Sequence, residues 1–308
     1  MNMAQSTSFS KNISDYAVNL MARSVFGLFL SLPYETRIRT AGWVFSNIVG
    51  PLSGARKRIR KNLAIGWPDM PKDQVEALCR SVPGQFGRSI IEIYSGAEFA
   101  DRVKDITPLG PGVAHLAKAR AENRPIIFVT GHFGGYDVPR SYYLHDGMPI
   151  GGLYRDMANP YFNAHYVKAM CTLAEPMFPR DRRGMGKMIK FLKSGGTIAL
   201  LTDQYNHEGE LVTFFGQPTR TAMSAAELAL RYDALLMPIY TIRQPDGLSF
   251  EVHLEEPIAH SDPVTMMQSY YDSLEKRVRA NPDQWLWIHR RWRPERDGAA
   301  PTTIDSVV

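Results

Sequence analysis

Near the middle of the chain a histidine and a carboxylate stand five residues apart, His132 and Asp137, in the stretch IIFVTGHFGGYDV from Ile126 to Val138. A carboxylate on one imidazole nitrogen fixes the tautomer and raises the basicity of the other, so such a pair makes a general base for a hydroxyl proton. On a continuous helix this offset turns the two side chains about 140° apart. They can meet only across a bend, and Gly134 and Gly135 permit one, because glycine accepts backbone angles closed to other residues. The apolar run before Gly131 reads as a buried strand that stops abruptly and delivers His132 into a tight loop. The competing use of His132 is structural, as a cap on the strand or on a following helix.

No serine or cysteine sits in a G-x-S-x-G pattern, so direct attack by an activated substrate hydroxyl fits better than a covalent intermediate. A carbonyl already activated as a thioester needs little beyond a base and an oxyanion site, for which the Gly134–Gly135 amides or Arg155 are candidates. Arg155 follows an expected strand at Ile150–Tyr154, and Asp203 and Gln204 follow another at Thr197–Thr202 (TIALLT). Chemistry in open α/β sheets collects at the carboxyl ends of strands, which makes these three ends candidates for one site. Arg155 suits a phosphate or a surface ion pair. Asp203 and Gln204 suit the orientation of a substrate sugar, or a structural turn. H-E-x-x-H, H-x-H, G-x-G-x-x-G and the P-loop do not occur, so neither a metal nor another cofactor is expected.

The elements that must position these residues follow from periodicity. Alternating apolar strands and helical patterns from about residue 105 onward predict an α/β layered sheet with flanking helices. Further strands are expected at 173–178, at 234–242 with a break at Pro238, and at 248–254 as an antiparallel edge. Helices are expected at 113–121, 159–170, 186–192, 222–231 and 266–280. A helix over 73–94, capped by Asp73, should kink at Pro83–Gly84. Ahead of it, Ala17–Leu32 is mostly apolar, with Asn19, Arg23, Gly27 and Ser31 recurring at every fourth position, and Thr40–Ala55 is uncharged. Both runs are shorter than the ~20 apolar residues a bilayer requires. They read as core helices or as a pair lying in a membrane interface. The basic run Arg56, Lys57, Arg58, Arg60, Lys61 beside them suits anionic headgroups. The chain thus divides into an N-terminal membrane-associated helical region (1–70), a catalytic domain (71–293) and a flexible tail (294–308). The tryptophans of QWLWIHRRWR, 284–293, are expected in the core.

The bulk numbers agree with a folded enzyme-sized domain. With 44% hydrophobic and 22% charged residues among 308, disordered and collagen-like classes are excluded. A net charge of +5 suits an anionic partner such as a membrane surface or a phosphorylated substrate; no nucleic-acid motif is present. The two cysteines, Cys79 and Cys171, lie far apart and fit a reducing compartment.

GHFGGYD resembles the H-x4-D/E motif of the glycerolipid acyltransferase superfamily. The blocks RKRIRKNLAIGWPDMP, LYRDMANPYFN, LLTDQ, TFFGQPTRT and PDQWLWIHRRW, in that order, are similar to those of the bacterial lipid A late acyltransferases, over residues 15 to 293. The resemblance implies a glycerol-phosphate-acyltransferase-like α/β fold at the cytoplasmic face of the bacterial inner membrane, held peripherally or monotopically. It also implies transfer of an acyl chain, usually from acyl carrier protein, to a hydroxyl of a lipid A precursor, with acyl-CoA as the alternative donor. By resemblance His132 is the base, Asp137 its partner, Arg155 a substrate contact, and Asp203 with Gln204 the family's D-Q pair. Where family members commonly read G-N-W-E, this chain has Gly134, Gly135, Tyr136 and Asp137, so the acid is one methylene shorter. Acceptors other than lipid A (another glycolipid, an amino-lipid, a lysophospholipid), thioester hydrolysis and a non-catalytic lipid-binding role are the alternatives.

Overall fold

The computed structural model describes residues 9–297; what was expected of 1–8 and 298–308 lies outside the described residues. Helices come first: α1 (Phe9–Leu30), α2 (Tyr34–Val44), a π-helical turn (Phe45–Val49), α3 (Gly50–Leu52), α4 (Ala55–Gly66) and α5 (Lys72–Val103). Alternation follows with α6 (Gly112–Ala121), β1 (Ile126–Thr130), α7 (Val138–His145), β2 (Ile150–Tyr154), α8 (Pro160–Leu173), β3 (Met177–Pro179), α9 (Arg182–Lys193) and β4 (Thr197–Leu201). Then come β5 (Glu210–Phe214), β6 (Gln217–Thr221), α10 (Ser224–Tyr232), β7 (Leu235–Arg243), β8 (Phe250–Leu254), α11 (Pro263–Ala280) and α12 (Pro294–Asp297).

Six strands form one sheet in the order β3-β2-β4-β1-β7-β8. All neighbours are parallel except β8, which runs antiparallel to β7 at the edge. Side chains alternate along β1, so Ile127 and Val129 enter one core and Ile126 and Phe128 the other. The first core holds Tyr270 and Tyr271 of α11 with Trp285, Trp287 and Trp292. The second is closed by Phe29, Tyr34, Ile38 and Ile91 from the N-terminal helices and α5. The tryptophans are therefore core residues, as expected.

Several local expectations are corrected. Pro83 does not break α5; the helix runs through it, and its non-helical residue is Gly96, at φ 50°. Glycines at this point serve close packing instead: a Cβ on Gly84 would fall 2.3 Å from Ser46 Oγ. β7 continues through Pro238, because the ladder with β8 begins only at Ile239↔Leu254, so no ladder bond there needs the missing N–H. The β5–β6 hairpin, a separate two-stranded sheet, was not foreseen. Its turn uses Phe215 and Gly216, both at positive φ, and Phe is not a usual residue for such a turn. The expected tail begins with an ordered turn, in which Asp297 accepts from the Tyr205 hydroxyl at 3.0 Å. Helix α1 begins at Phe9, inside the polar stretch. It buries Asn19 and Phe29 while exposing Ile13, Tyr16, Val18, Leu20, Met21, Val25 and Leu28.

Candidate active site

Strands β1 and β4 lie side by side in parallel, with Thr130 opposite Leu201. His132 and Asp203 each come two residues after that pair, so the register alone carries them to the same edge. There, Asp203 closes on His132 twice. Its Oδ1 lies 2.8 Å from the imidazole Nδ1, and its Oδ2 accepts from the His132 backbone N–H at 2.8 Å. The Trp285 indole N–H donates to the same Oδ2 at 2.9 Å. Gly131 makes the approach feasible, since a Cβ there would stand 3.1 Å from Asp203 Oδ2.

Asp203 therefore occupies the place that sequence spacing suggested for Asp137. Asp137 instead accepts from Arg140 Nη1 at 2.9 Å, three residues on in the chain at the start of α7. That contact is local and helical, with a buried guanidinium that also donates to the Ala174 carbonyl. Asp137 is still close enough for its charge to act on the imidazole.

The electrostatics follow from these contacts. Burial of Asp203 opposes its charge, but His132 and the hydrogen bonds from its amide and from Trp285 outweigh burial, holding the carboxyl at about 2. Burial likewise opposes charge on His132. The Asp203 carboxylate, and behind it Asp137, overcome this and raise the imidazole above its ordinary value. An ionised carboxylate can only accept. Nδ1 therefore carries the proton, and Nε2 is left as the basic nitrogen.

Both strand ends are fixed from beneath. The adjacent tyrosines of α11 donate to the carbonyls just ahead of the site: Tyr270 to Thr130 at 2.7 Å and Tyr271 to Thr202 at 2.6 Å. Thr221 Oγ1 also donates to the Thr202 carbonyl at 3.0 Å, and the buried Arg291 donates to the Tyr271 hydroxyl at 2.7 Å. The segment after α11 completes the wall. Leu286 N–H donates to the His132 carbonyl and Gly134 N–H to the Gln284 carbonyl, at 3.0 and 2.9 Å.

These contacts limit what the glycine loop can do. Gly134 has φ +54°, and a Cβ there would lie 1.8 Å from the Thr241 carbonyl oxygen, so no other residue fits. Its N–H is spent on Gln284, which removes it as an oxyanion donor. The Gly135 N–H makes no hydrogen bond among the described residues. Arg155 stands one residue past β2, on the far side of β4 from His132, exposed and without a side-chain hydrogen bond among the described residues. Gln204 is exposed as well. The structure thus joins His132 with Asp203 and the glycine loop, and leaves Arg155 and Gln204 exposed at the same sheet edge with no side-chain hydrogen bond to them among the described residues.

His132, Ser89, Tyr136, Gln85, Phe86 and Trp285 are among the residues lining a small cavity of about 20 Å³. The Ser89 hydroxyl donates to the Gly134 carbonyl at 3.3 Å rather than to the imidazole. Sequence reasoning had not marked Ser89, Trp285 or the two tyrosines. Asp203 had been marked, but not as the partner of His132; its signal was its place just after an apolar strand.

Comparison with known proteins adds an independent line. The family model described as bacterial lipid A biosynthesis acyltransferase matches residues 6–294. A lipid A biosynthesis acyltransferase of Haemophilus influenzae is 25% identical over 295 residues, covering 92% of each chain. The lipid A biosynthesis lauroyltransferase of Escherichia coli is 22% identical over 290 residues, covering 92% of this chain and 94% of its own. A phosphatidylinositol mannoside acyltransferase of Mycobacterium tuberculosis is 21% identical over 253 residues, covering 78% of each.

Proposed function

Because the chain belongs to the bacterial lipid A biosynthesis acyltransferase family, and is an acyltransferase, we propose that it moves an acyl chain from a thioester to a hydroxyl of a lipid A precursor or a related glycolipid, with His132 as general base and Asp203 as its orienting partner. The observation that carries this reading is the 2.8 Å contact between His132 Nδ1 and Asp203. It leaves Nε2 to take a proton while no serine or cysteine hydrogen-bonds the imidazole among the described residues. In the reaction, Nε2 removes the acceptor hydroxyl proton as that oxygen attacks the thioester carbonyl. The tetrahedral oxyanion collapses, the carbon–sulfur bond breaks, and the departing thiolate takes the proton back from the imidazolium. Of the two glycine amides, that of Gly135 is the one left for the oxyanion. Asp137 acts at one remove, through its charge and its hold on Arg140; Arg155 and Gln204, both exposed, contact the substrate. The donor is an acyl carrier protein, or acyl-CoA.

The surface supports delivery from a membrane. No helix among the described residues is long and apolar enough to cross a bilayer. Yet α1 turns its apolar side outward, and Trp43 and Leu52 are 60% and 83% exposed, beside the basic run of α4. That arrangement fits a helix pair lying in the interface.

Replacing His132 with Ala should lower acyl transfer to purified glycolipid by roughly 10³-fold or more in protein that remains folded. Near-normal turnover in that variant would refute the role of the imidazole.

A further inference from the structure

A second, larger cavity of about 860 Å³ adjoins the one at His132, and Gln85 and Gln284 line both. Three guanidinium groups stand in its wall, Arg80, Arg88 and Arg243, and their states differ. Arg243 is buried and neutralised by Glu92, with Nη1 and Nη2 donating to the two carboxylate oxygens at 2.5 and 2.7 Å. Arg88 is half-buried and forms no ion pair among the described residues; its side-chain hydrogen bond is a long one, 3.3 Å from Nη1 to Gln85 Oε1. Arg80 is exposed and also without an ion pair among them. The acid in the same wall, Asp283, accepts from Gln85 Nε2 at 2.7 Å.

Arg88 is thus a cation partly withdrawn from water with no carboxylate in direct contact, Glu92 and Asp283 acting on it only through their charge. Burial and the neighbouring Arg243 push its pKa down. Its position is nevertheless built: the guanidinium rests on α2 at Gly42, where a Cβ would fall 2.7 Å from its central carbon. A forked donor held against a wall with no anion hydrogen-bonded to it matches the geometry of a phosphoryl group. The neighbourhood indicates where that group comes from. Ser46 and Asn47 line the cavity, and the same segment exposes Trp43, Ile48, Val49 and Leu52. A headgroup in the cavity would leave its acyl tails beside those apolar side chains.

We propose that this cavity binds the phosphoryl group of a lipid headgroup, with Arg88 as its principal ligand and Arg80 at its mouth. The proposal deepens the reading of the acceptor as a membrane lipid, and rests on it, by placing phosphoryl recognition next to the reacting hydroxyl.

The test titrates the full-length protein with two probes, dihexanoyl phosphatidic acid and inorganic phosphate, followed by ³¹P NMR. Wild-type protein should bind the phosphatidic acid, and Arg88→Gln should weaken that binding by about tenfold or more. Arg80→Gln, an exposed change that spares the fold, should weaken it by about threefold. Gly42→Ala, which keeps the charge but displaces the guanidinium, should also weaken it. Unchanged affinity in folded Arg88→Gln and Arg80→Gln would overturn the site. Equal affinity for inorganic phosphate would overturn the headgroup as its source. His132→Ala is expected to bind the probes as wild type does, so loss of the acyl-transfer reading and loss of this site are separately visible.

Discussion

Two carboxylates act on the same imidazole, and the regions that hold them are built differently. Asp203 follows a central strand and is 3% exposed; His132 Nδ1, the His132 amide and the Trp285 indole all converge on it. Asp137 lies where a loop meets α7, is partly exposed, and is bound by an arginine one turn along the same helix. The first contact joins residues 71 apart in the chain, and the second joins residues three apart. Fixed sequence spacing therefore points to the local acid, whereas the sheet register selects the distant one.

The comparison can be broken most directly at Asp203. Asp203→Asn keeps the shape but removes the charge that fixes the tautomer, and turnover should fall by roughly 10³- to 10⁴-fold. A loss of less than tenfold would hand the orienting role to another group. Asp137→Asn should have the inverse profile. It leaves the buried Arg140 without its counter-charge, which costs about 3 kcal/mol of stability, measurable in a denaturant titration. Turnover of the folded protein should fall by only about tenfold. If Asp137→Asn abolished turnover while Asp203→Asn kept it, the assignment of the two acids would be reversed. The smallest expected effect concerns the support beneath the strand ends. Tyr271→Phe removes a hydroxyl shared by the Thr202 carbonyl, Thr221 and Arg291, and should cost about 1–2 kcal/mol. A few-fold loss of turnover should accompany it, and equal stability to wild type would show that the clamp is dispensable.

The same contrast explains what could be read without coordinates. β1 and β2 were legible to the residue, because a short apolar run bounded by turn residues has few other solutions. His132 was legible because it ends such a run before paired glycines. Its partner was not, since nothing in one chain states that β4 pairs with β1 rather than with a sequence neighbour. The hairpin of β5 and β6 escaped because Phe215 stands where a turn residue was needed. In α1 the apolar content was plain from the sequence. That its apolar side faces outward became visible only once Asn19 and Phe29 were seen to take the inward face.

The central claim is that Asp203, more than Asp137, sets the basicity of His132. The direct measurement is an NMR pH titration of the His132 ring in the wild type, Asp203→Asn and Asp137→Asn. Asp203 raises the pKa by stabilising the charged imidazole, so in the wild type the neutral base should appear only as pH rises through a value above 6.5. Burial alone works in the opposite direction, so the pKa should fall sharply in Asp203→Asn and by a smaller amount in Asp137→Asn. A larger fall in Asp137→Asn, or none in Asp203→Asn, would contradict the account.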